Sequence, residues 1–552
     1  MTQGNGQPAL VNIKIDGKAI QVPAGTNIIE AASGAGIDIP HYCYHPNLTI
    51  AGNCRMCQVE VKGMKKLEIA CNMVAREGLE VSTHHTSQTV KDTQAATLEF
   101  LLINHPLDCT VCDQAGHCKL QDYHFEYNAH ESRFLEEKVH KVKAEPLGPN
   151  VVLDGERCIL CTRCVRFCEE VTKTGELGIL NRGDKGVISI NAGHELNNAL
   201  SGTVVDLCPV GALTHRPWRF NSRIWFTKQT DTICPGCSTG CNCKIAIRDR
   251  NEIVHVKARV NQEVNKEWMC DEGRYGMERF LPKNRMTLPL LRGRSVQWDE
   301  ALREASAKLK SQPVLIFVAP QLLTEEYFLL KTLIAKHLKS ATVAVAYRER
   351  KLSAVEAVLI SPDYAANFRG AEFSGLVSGN LEAGYDDALT KFRAGGFQQV
   401  LFVGDRSIAP EDINPQFLSA LAASAMSIAL ISDGDSTLAA ASKVVLPARS
   451  VLEKSGLLVN RAGRLQYAER SVDFPTGSEP EWRILNRLAE KLGQKVTNAS
   501  SDRELTLSLL ASQPALAGLR ISTIKQGGVD LNTYRPQEKG EDKASSSVQV
   551  GA

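Results

Sequence analysis

The 552-residue chain is as informative in what it lacks as in what it holds. All 17 cysteines lie between Cys43 and Cys270, and residues 271–552 have none. The longest uncharged apolar run, Phe417–Ser432, is too short and too rich in serine for a transmembrane helix, so any membrane link is expected only through a partner. Neither sign of charge dominates, with 64 basic against 62 acidic residues and a net charge of +2. That balance argues against nucleic-acid binding through bulk basicity and against an acidic solvating chain. The opening MTQGNGQPAL has no basic n-region and no apolar h-region. The expectation is a cytosolic chain with reduced thiols, in which crowded cysteines are metal ligands rather than disulfides.

Nucleotide motifs are missing too. No GxGxxG follows an expected strand, there is no GxxxxGK followed by Ser or Thr, and Gly375, Gly379 and Gly384 have the wrong spacing for either. No nucleophile–base constellation is discernible, so no catalytic residue, FMN site or NAD site is expected. What is present is an ordinary globular composition, 43% hydrophobic and 23% charged, over a length that implies several domains.

The expected organisation is a multidomain α+β and α/β chain. Val11, Ile13 and Ile15 alternate with polar residues, Asp16-Gly17 reads as a hairpin turn, and Ala19–Val22 reads as the return strand. Thr26 is placed to cap a short helix ending near Gly34. This hairpin and helix before a cysteine loop read as a β-grasp ferredoxin-like opening, and Gln58–Lys62 as a further strand. Residues 90–104 read as a helix with Leu98, Leu101 and Leu102 as its apolar face, and 119–150 as a connector. Beyond about 285, short apolar strands (Val314–Val318, Thr342–Ala346, Val400–Val403, Ser427–Ile431) alternate with helical segments such as Trp298, Leu302, Ala305 and Leu309, the pattern of a parallel α/β domain. The domains read as 10–88, 89–128, 149–220, 227–283 and 284–536, with 537–552 a charged, serine-rich tail expected to be disordered.

The cysteines fall into four ligand sets. Cys43, Cys54, Cys57 and Cys71 supply the four thiolates of a 2Fe–2S cluster, and Gly52 lets the loop backbone approach the sulfides; a four-cysteine zinc site is the alternative. Cys109, Cys112 and Cys118 cannot complete a 4Fe–4S cubane alone. His105, spaced His-x3-Cys-x2-Cys-x5-Cys, is the better fourth ligand, because its rival His117 adjoins Cys118. Cys158, Cys161, Cys164 and Cys168 form a bacterial ferredoxin run, whose local cluster takes its last ligand from a distant Cys-Pro, here Cys208-Pro209. Cys168 is then a buried leftover thiol. Cys234, Cys237, Cys241 and Cys270 have a distinct spacing that suits a third 4Fe–4S cluster, with zinc as the alternative and Cys243 as a spare.

The order of these sets, with His105-Pro-Leu-Asp-Cys-Thr-Val-Cys112 and Asp206–Leu213, resembles the large iron–sulfur subunits of bacterial respiratory complex I, the G subunits of NADH–quinone oxidoreductase. The stretch Val444–Pro447, Glu453–Gly456 and Asn460–Gln466 is similar to the closing segment of molybdopterin oxidoreductases, which in this family is a relic without molybdenum. The resemblance implies a peripheral-arm electron relay. Electrons come from an NADH/FMN-binding subunit to the Cys43 set, then the Cys158/Cys208 set, then the His105 set, and leave for a two-cluster ferredoxin-like subunit and finally quinone. The Cys234 set lies off that path, in a structural role. Other peripheral-arm subunits are further implied partners, and the implied location is the cytoplasmic side of the inner (plasma) membrane. No molybdopterin is expected. The alternative is a molybdenum or tungsten formate dehydrogenase catalytic subunit, which needs a Cys, selenocysteine or Ser metal ligand in the C-terminal half.

Overall fold

The computed structural model describes residues 9–128, 131–309 and 313–536, so the expected tail at 537–552 lies outside the described residues. The chain divides into two compact units, residues 1–228 with 354–358, and residues 229–353 with 359–552.

The first unit opens with the hairpin Leu10–Ile15 and Lys18–Pro23, paired from Leu10↔Pro23 to Ile15↔Lys18. Asp16 (φ 49°) and Gly17 (φ 78°) are both left-handed, the conformation a tight two-residue turn requires. The first strand also pairs in parallel with Glu80–Ser82, inside a five-stranded mixed sheet with Gln58–Val61 and Glu68–Ile69. Ile13 and Ile15 point into a core with Ile28, Ala32, Val59 and Val81. The helix Ile28–Gly34 packs on this core, but its cap is not Thr26. Asn27 accepts from the Ile29 amide at 2.9 Å, while the Thr26 hydroxyl turns back to the Pro23 carbonyl at 2.7 Å. The next helix is Gln88–Leu102, capped by Ser87, and its buried face is Val90, Gln94 and Leu98 rather than Leu98, Leu101 and Leu102.

The connector expected at 119–150 contains a helix, Lys119–Tyr127, which buries Leu120 and Tyr123. A three-stranded sheet follows, with Val151–Leu153 between Glu145–Pro146 and Leu213–His215. It brings the chain before Cys158 beside the chain after Cys208.

The second unit starts with a three-stranded sheet, Lys228–Ile233, Asn242–Arg248 and Glu252–Ala258. Its body is a seven-stranded sheet whose five parallel strands run in the order Val444–Pro447, Met426–Ile431, Gln399–Val403, Val314–Val318, Thr342–Val345. The strands Val314–Val318, Gln399–Val403 and Met426–Ile431 are buried throughout, because helices cover both faces. Alternate residues of one strand serve two cores: Val314, Ile316 and Val318 face one, Leu315 and Phe317 the other. The fold is thus the mixed α+β and α/β arrangement expected, and among the described residues no helix is long and apolar enough to cross a membrane.

Candidate iron–sulfur sites

Each cysteine set sits on a loop shaped by residues that tolerate unusual backbone or fix it with charge. In the first, Gly52 (φ 60°) and Arg55 (φ 56°) are left-handed, and the loop curls so that all four sulfurs are buried. The Cys43 amide lies 3.4 Å from the Cys54 sulfur. Hydrogen bonds with Cys54 and Cys71 hold the Cys43 thiol low, and the same bonds push Cys54 and Cys71 up. Cys57 is likewise held down by its bond with Cys71. Four thiols exchanging hydrogen bonds in a buried loop form a compact all-sulfur donor set.

In the second, Cys112 and Cys118 are buried and Cys109 is exposed. Burial lifts the Cys118 thiol to about 11, and the charges of Cys112 and Cys109 push the same way. His105 follows the helix that ends at Leu102. Burial, then the nearby Arg157 and Lys138, lowers its imidazole to about 4, so at neutral pH it carries an unprotonated nitrogen able to bind a metal.

In the third, Cys158, Cys161, Cys164 and Cys208 line one cavity, closed by Leu153, Ile188 and Leu213. Cys168 is not among its lining residues; it is buried under the turn Phe167–Val171, where burial and Glu176 raise its thiol to about 12. Burial lifts Cys158 to about 11 and Cys208 to about 12. The loop folds back through two left-handed non-glycine residues, Leu160 (φ 52°) and Thr162 (φ 63°), a conformation that persists only where surrounding structure holds it.

Buried arginines supply that hold, and sequence reading missed them. Arg166 donates to the carbonyls of Cys43 (2.6 Å), Cys161 (3.3 Å) and Thr49, so it ties the first loop to the third. Arg163 does likewise with the carbonyls of Tyr44 and Leu207. Arg157, 4% exposed, donates to Asp108 (2.8 Å) and pairs with Asp154 (3.2 Å), joining the second loop to the entry of the third. The only sequence signal was position: Arg163 and Arg166 stand one helical turn apart inside the cysteine run. A second wall between these loops is glycine. A Cβ on Gly211, in the Cys208 loop, would lie 2.1 Å from the Cys112 sulfur.

The fourth set belongs to the second unit. The Cys234 amide donates to the Cys241 carbonyl at 2.8 Å, and the Cys270 sulfur caps the helix Asp271–Tyr275 by accepting from Gly273 at 3.3 Å. A Cβ on Gly273 would stand 3.2 Å from the sulfurs of both Cys234 and Cys270. Burial raises all three thiols of Cys234, Cys241 and Cys270, and the Cys237 charge adds to it. Cys243 is fully buried on the strand Asn242–Arg248.

The fold and these donor sets define a class, the multicentre iron–sulfur proteins with a molybdopterin-oxidoreductase-like C-terminal part. Family models match in that order: a 2Fe-2S iron-sulfur cluster binding domain over residues 9–86, an NADH-ubiquinone oxidoreductase-G iron-sulfur binding region over 94–133, and an NADH-quinone oxidoreductase subunit 3 ferredoxin-like domain over 148–214. A molybdopterin oxidoreductase Fe4S4 domain matches 227–281 and molybdopterin oxidoreductase 364–491.

Among curated relatives, the G subunit of NADH-quinone oxidoreductase from Rickettsia bellii is 37% identical over 59% of this chain and 48% of its own length. The mitochondrial NADH-ubiquinone oxidoreductase 78 kDa subunit of Candida albicans is 42% identical over 54% of this chain and 42% of its own. A solved NAD+-reducing NiFe hydrogenase in the H2-reduced state is 31% identical over 39% of this chain and 91% of that one, with a TM-score of 0.35. Over its cluster-bearing region the chain is homologous to the G subunits of NADH-quinone oxidoreductase, and it spans about half the length of the curated relatives it matches.

Proposed function

We propose that the chain is an electron-relay subunit in the peripheral arm of a proton-pumping NADH:quinone oxidoreductase. The observation that carries this is the tying of three donor sets into one unit by Arg157, Arg163 and Arg166, within the region whose family models (94–133 and 148–214) are those of NADH-ubiquinone and NADH-quinone oxidoreductase subunits. In this reading Cys43, Cys54, Cys57 and Cys71 hold a 2Fe–2S cluster. His105 with Cys109, Cys112 and Cys118, Cys158 with Cys161, Cys164 and Cys208, and Cys234 with Cys237, Cys241 and Cys270 hold three 4Fe–4S clusters. The domains follow the boundaries read from the sequence.

The clusters, when bound, supply one-electron redox chemistry. The protein's own residues do the rest. The thiols present sulfur at fixed points, and the arginine clamps keep neighbouring loops at constant separation. The apolar walls of Leu153, Ile188 and Leu213 keep water from the third site. His105 brings a neutral donor where the other sites use thiolates, so its site carries one negative charge fewer.

Electrons would enter from an NADH/FMN-binding subunit at the Cys43 set and leave from the His105 set for a two-cluster ferredoxin-like subunit. The location is the cytoplasmic side of the inner (plasma) membrane, held there by the complex. The molybdopterin-type matches over 227–281 and 364–491 favour one rival, a molybdenum or tungsten catalytic subunit. The absence of cysteine after Cys270 weighs against it, since only a serine could then serve as the metal ligand. Elemental analysis of anaerobically purified protein separates the two. A relay requires about 14 iron atoms per chain, matching sulfide and no molybdenum. Stoichiometric molybdenum or tungsten would move the chemistry into the C-terminal half and end the relay reading.

A further inference from the structure

The C-terminal unit holds a feature that the relay does not use. A cleft of about 890 Å³ lies between the segment around Arg449, the strand Arg464–Ala468 with the turn after it, and the start of the helix Asp502–Ser512. Five arginines line it: Arg449, Arg470, Arg483, Arg503 and Arg520. Its two carboxylates are already engaged. Glu469 is paired with Lys525, and Asp502 accepts from the Trp482 indole at 2.8 Å and the Ser455 amide at 3.1 Å.

Stacking positions the guanidinium groups of Arg449 and Arg470, while that of Arg483 also donates to the Ser500 carbonyl. Arg449 lies 3.3 Å from the centre of the Phe474 ring and Arg470 5.1 Å from it, while Arg483 stacks on Trp482 at 5.1 Å. The Nε of Arg449 is buried with no hydrogen-bond acceptor among the described residues. Burial, together with the like charges of Arg483 and Arg470, pushes the Arg449 guanidinium down from its usual range, and Asp502 and Glu453 oppose this only in part. A half-buried Arg449 in the field of Arg470 and Arg483 costs free energy that an anion in the cleft would recover. Planar guanidinium forks match phosphate oxygens two at a time. Several forks on one concave wall suit a chain of phosphates better than a single anion, and the volume falls in the range of small-molecule sites, roughly 300–1,000 Å³.

We infer that this cleft binds a small molecule carrying two or three linked phosphates, with half-buried Arg449 and exposed Arg470, stacked on Phe474, as its inner pair and the exposed Arg503 and Arg520 as its rim pair. A nucleoside phosphate and an inorganic polyphosphate share that chemistry.

The test is titration calorimetry of the full chain with sodium tripolyphosphate and, separately, with ATP, at constant ionic strength of about 0.15 M. One saturable site is expected. The pair R449Q/R470Q should weaken it at least about tenfold, and R503Q/R520Q several-fold, with iron content and thermal midpoint unchanged. If R449Q/R470Q fails to fold, the rim pair decides alone, since both of its side chains are exposed. Tighter binding of ATP would identify a nucleotide as the occupant; equal or weaker binding than tripolyphosphate would identify the inorganic chain. No saturable binding of either probe, or affinity unchanged in the rim pair and in any folded inner pair, would overturn the inference and leave the cleft to an acidic protein surface or to no ligand.

Discussion

Single residues set the character of the second site. His105 is neutral at physiological pH because burial and the nearby Arg157, Lys138 and Lys143 disfavour its protonated form. Replacing it by cysteine adds one negative charge to whatever the site holds. In His105→Cys the cluster is expected to survive with a lower reduction potential, measured by redox titration with paramagnetic resonance. An unchanged potential and spectrum would transfer the ligand role to His117 or another residue. Gly211 matters through what it lacks. With its β-carbon position 2.1 Å from the Cys112 sulfur, Gly211→Ala must displace either that sulfur or the Cys208 loop. Iron per chain should fall by about four atoms, the content of one cubane; full iron retention would show that the loop yields without loss. The gathering of Cys158, Cys161, Cys164 and Cys208 around one cavity was legible from spacing, since a ligand loop imposes short fixed gaps. Arg157, Arg163 and Arg166 were not, because a buried cation that bonds a carboxylate 49 residues away, or carbonyls 119 and 123 residues away, leaves no local pattern.

At the scale of elements, the helices Thr324–His337 and Glu481–Leu492 bring charges deep into the C-terminal unit. Lys454 bonds Glu326 at 2.8 Å and Glu481 at 2.7 Å with all three side chains almost fully buried. Beside them Glu325 accepts from the Thr506 hydroxyl at 2.6 Å and the Leu457 amide at 3.0 Å. Burial raises Glu325 from 4.5 to about 7 despite these bonds. The folded state therefore holds this proton more tightly than the unfolded chain does. Its contribution to stability is whole below pH 4.5 and is lost as pH rises through 7. Glu325→Gln cannot ionise, so against it the wild type should lose up to about 3 kcal/mol between these limits. Urea unfolding followed by tryptophan fluorescence at several pH values measures the difference, and parallel pH profiles would refute it.

Elements with strict periodicity were legible: the strand Leu10–Ile15, the helix Trp298–Leu309 and the four parallel strands expected after 285 all appear within a residue or two. The helix Lys119–Tyr127 was not, because it buries only Leu120 and Tyr123 amid charged residues. The Thr26 cap was misread because Asn27, one position on, competes for the same amides and wins.

For the whole molecule, the two compact units predict two kinds of failure. Cys161→Ser, in the first unit, should remove one 4Fe–4S signal and stop NADH-to-quinone transfer in an assembled complex, and retained electron flow would defeat the relay assignment. Cys237→Ser, in the second, should reduce stability or assembly instead. An intact complex carrying it that cannot pass electrons would place its cluster on the path.

The third cavity also says something about time. Its first three sulfurs belong to one short loop, but Cys208, Val210, Ala212 and Leu213 close it from a segment made well afterwards, drawn in by pairing of Leu213–His215 with Val151–Leu153. A nascent chain that has left the ribosome only as far as Cys168 holds an open cup. In the proposed relay, only three of this site's four ligands would exist at that point, so the site is complete only once the later strand has paired.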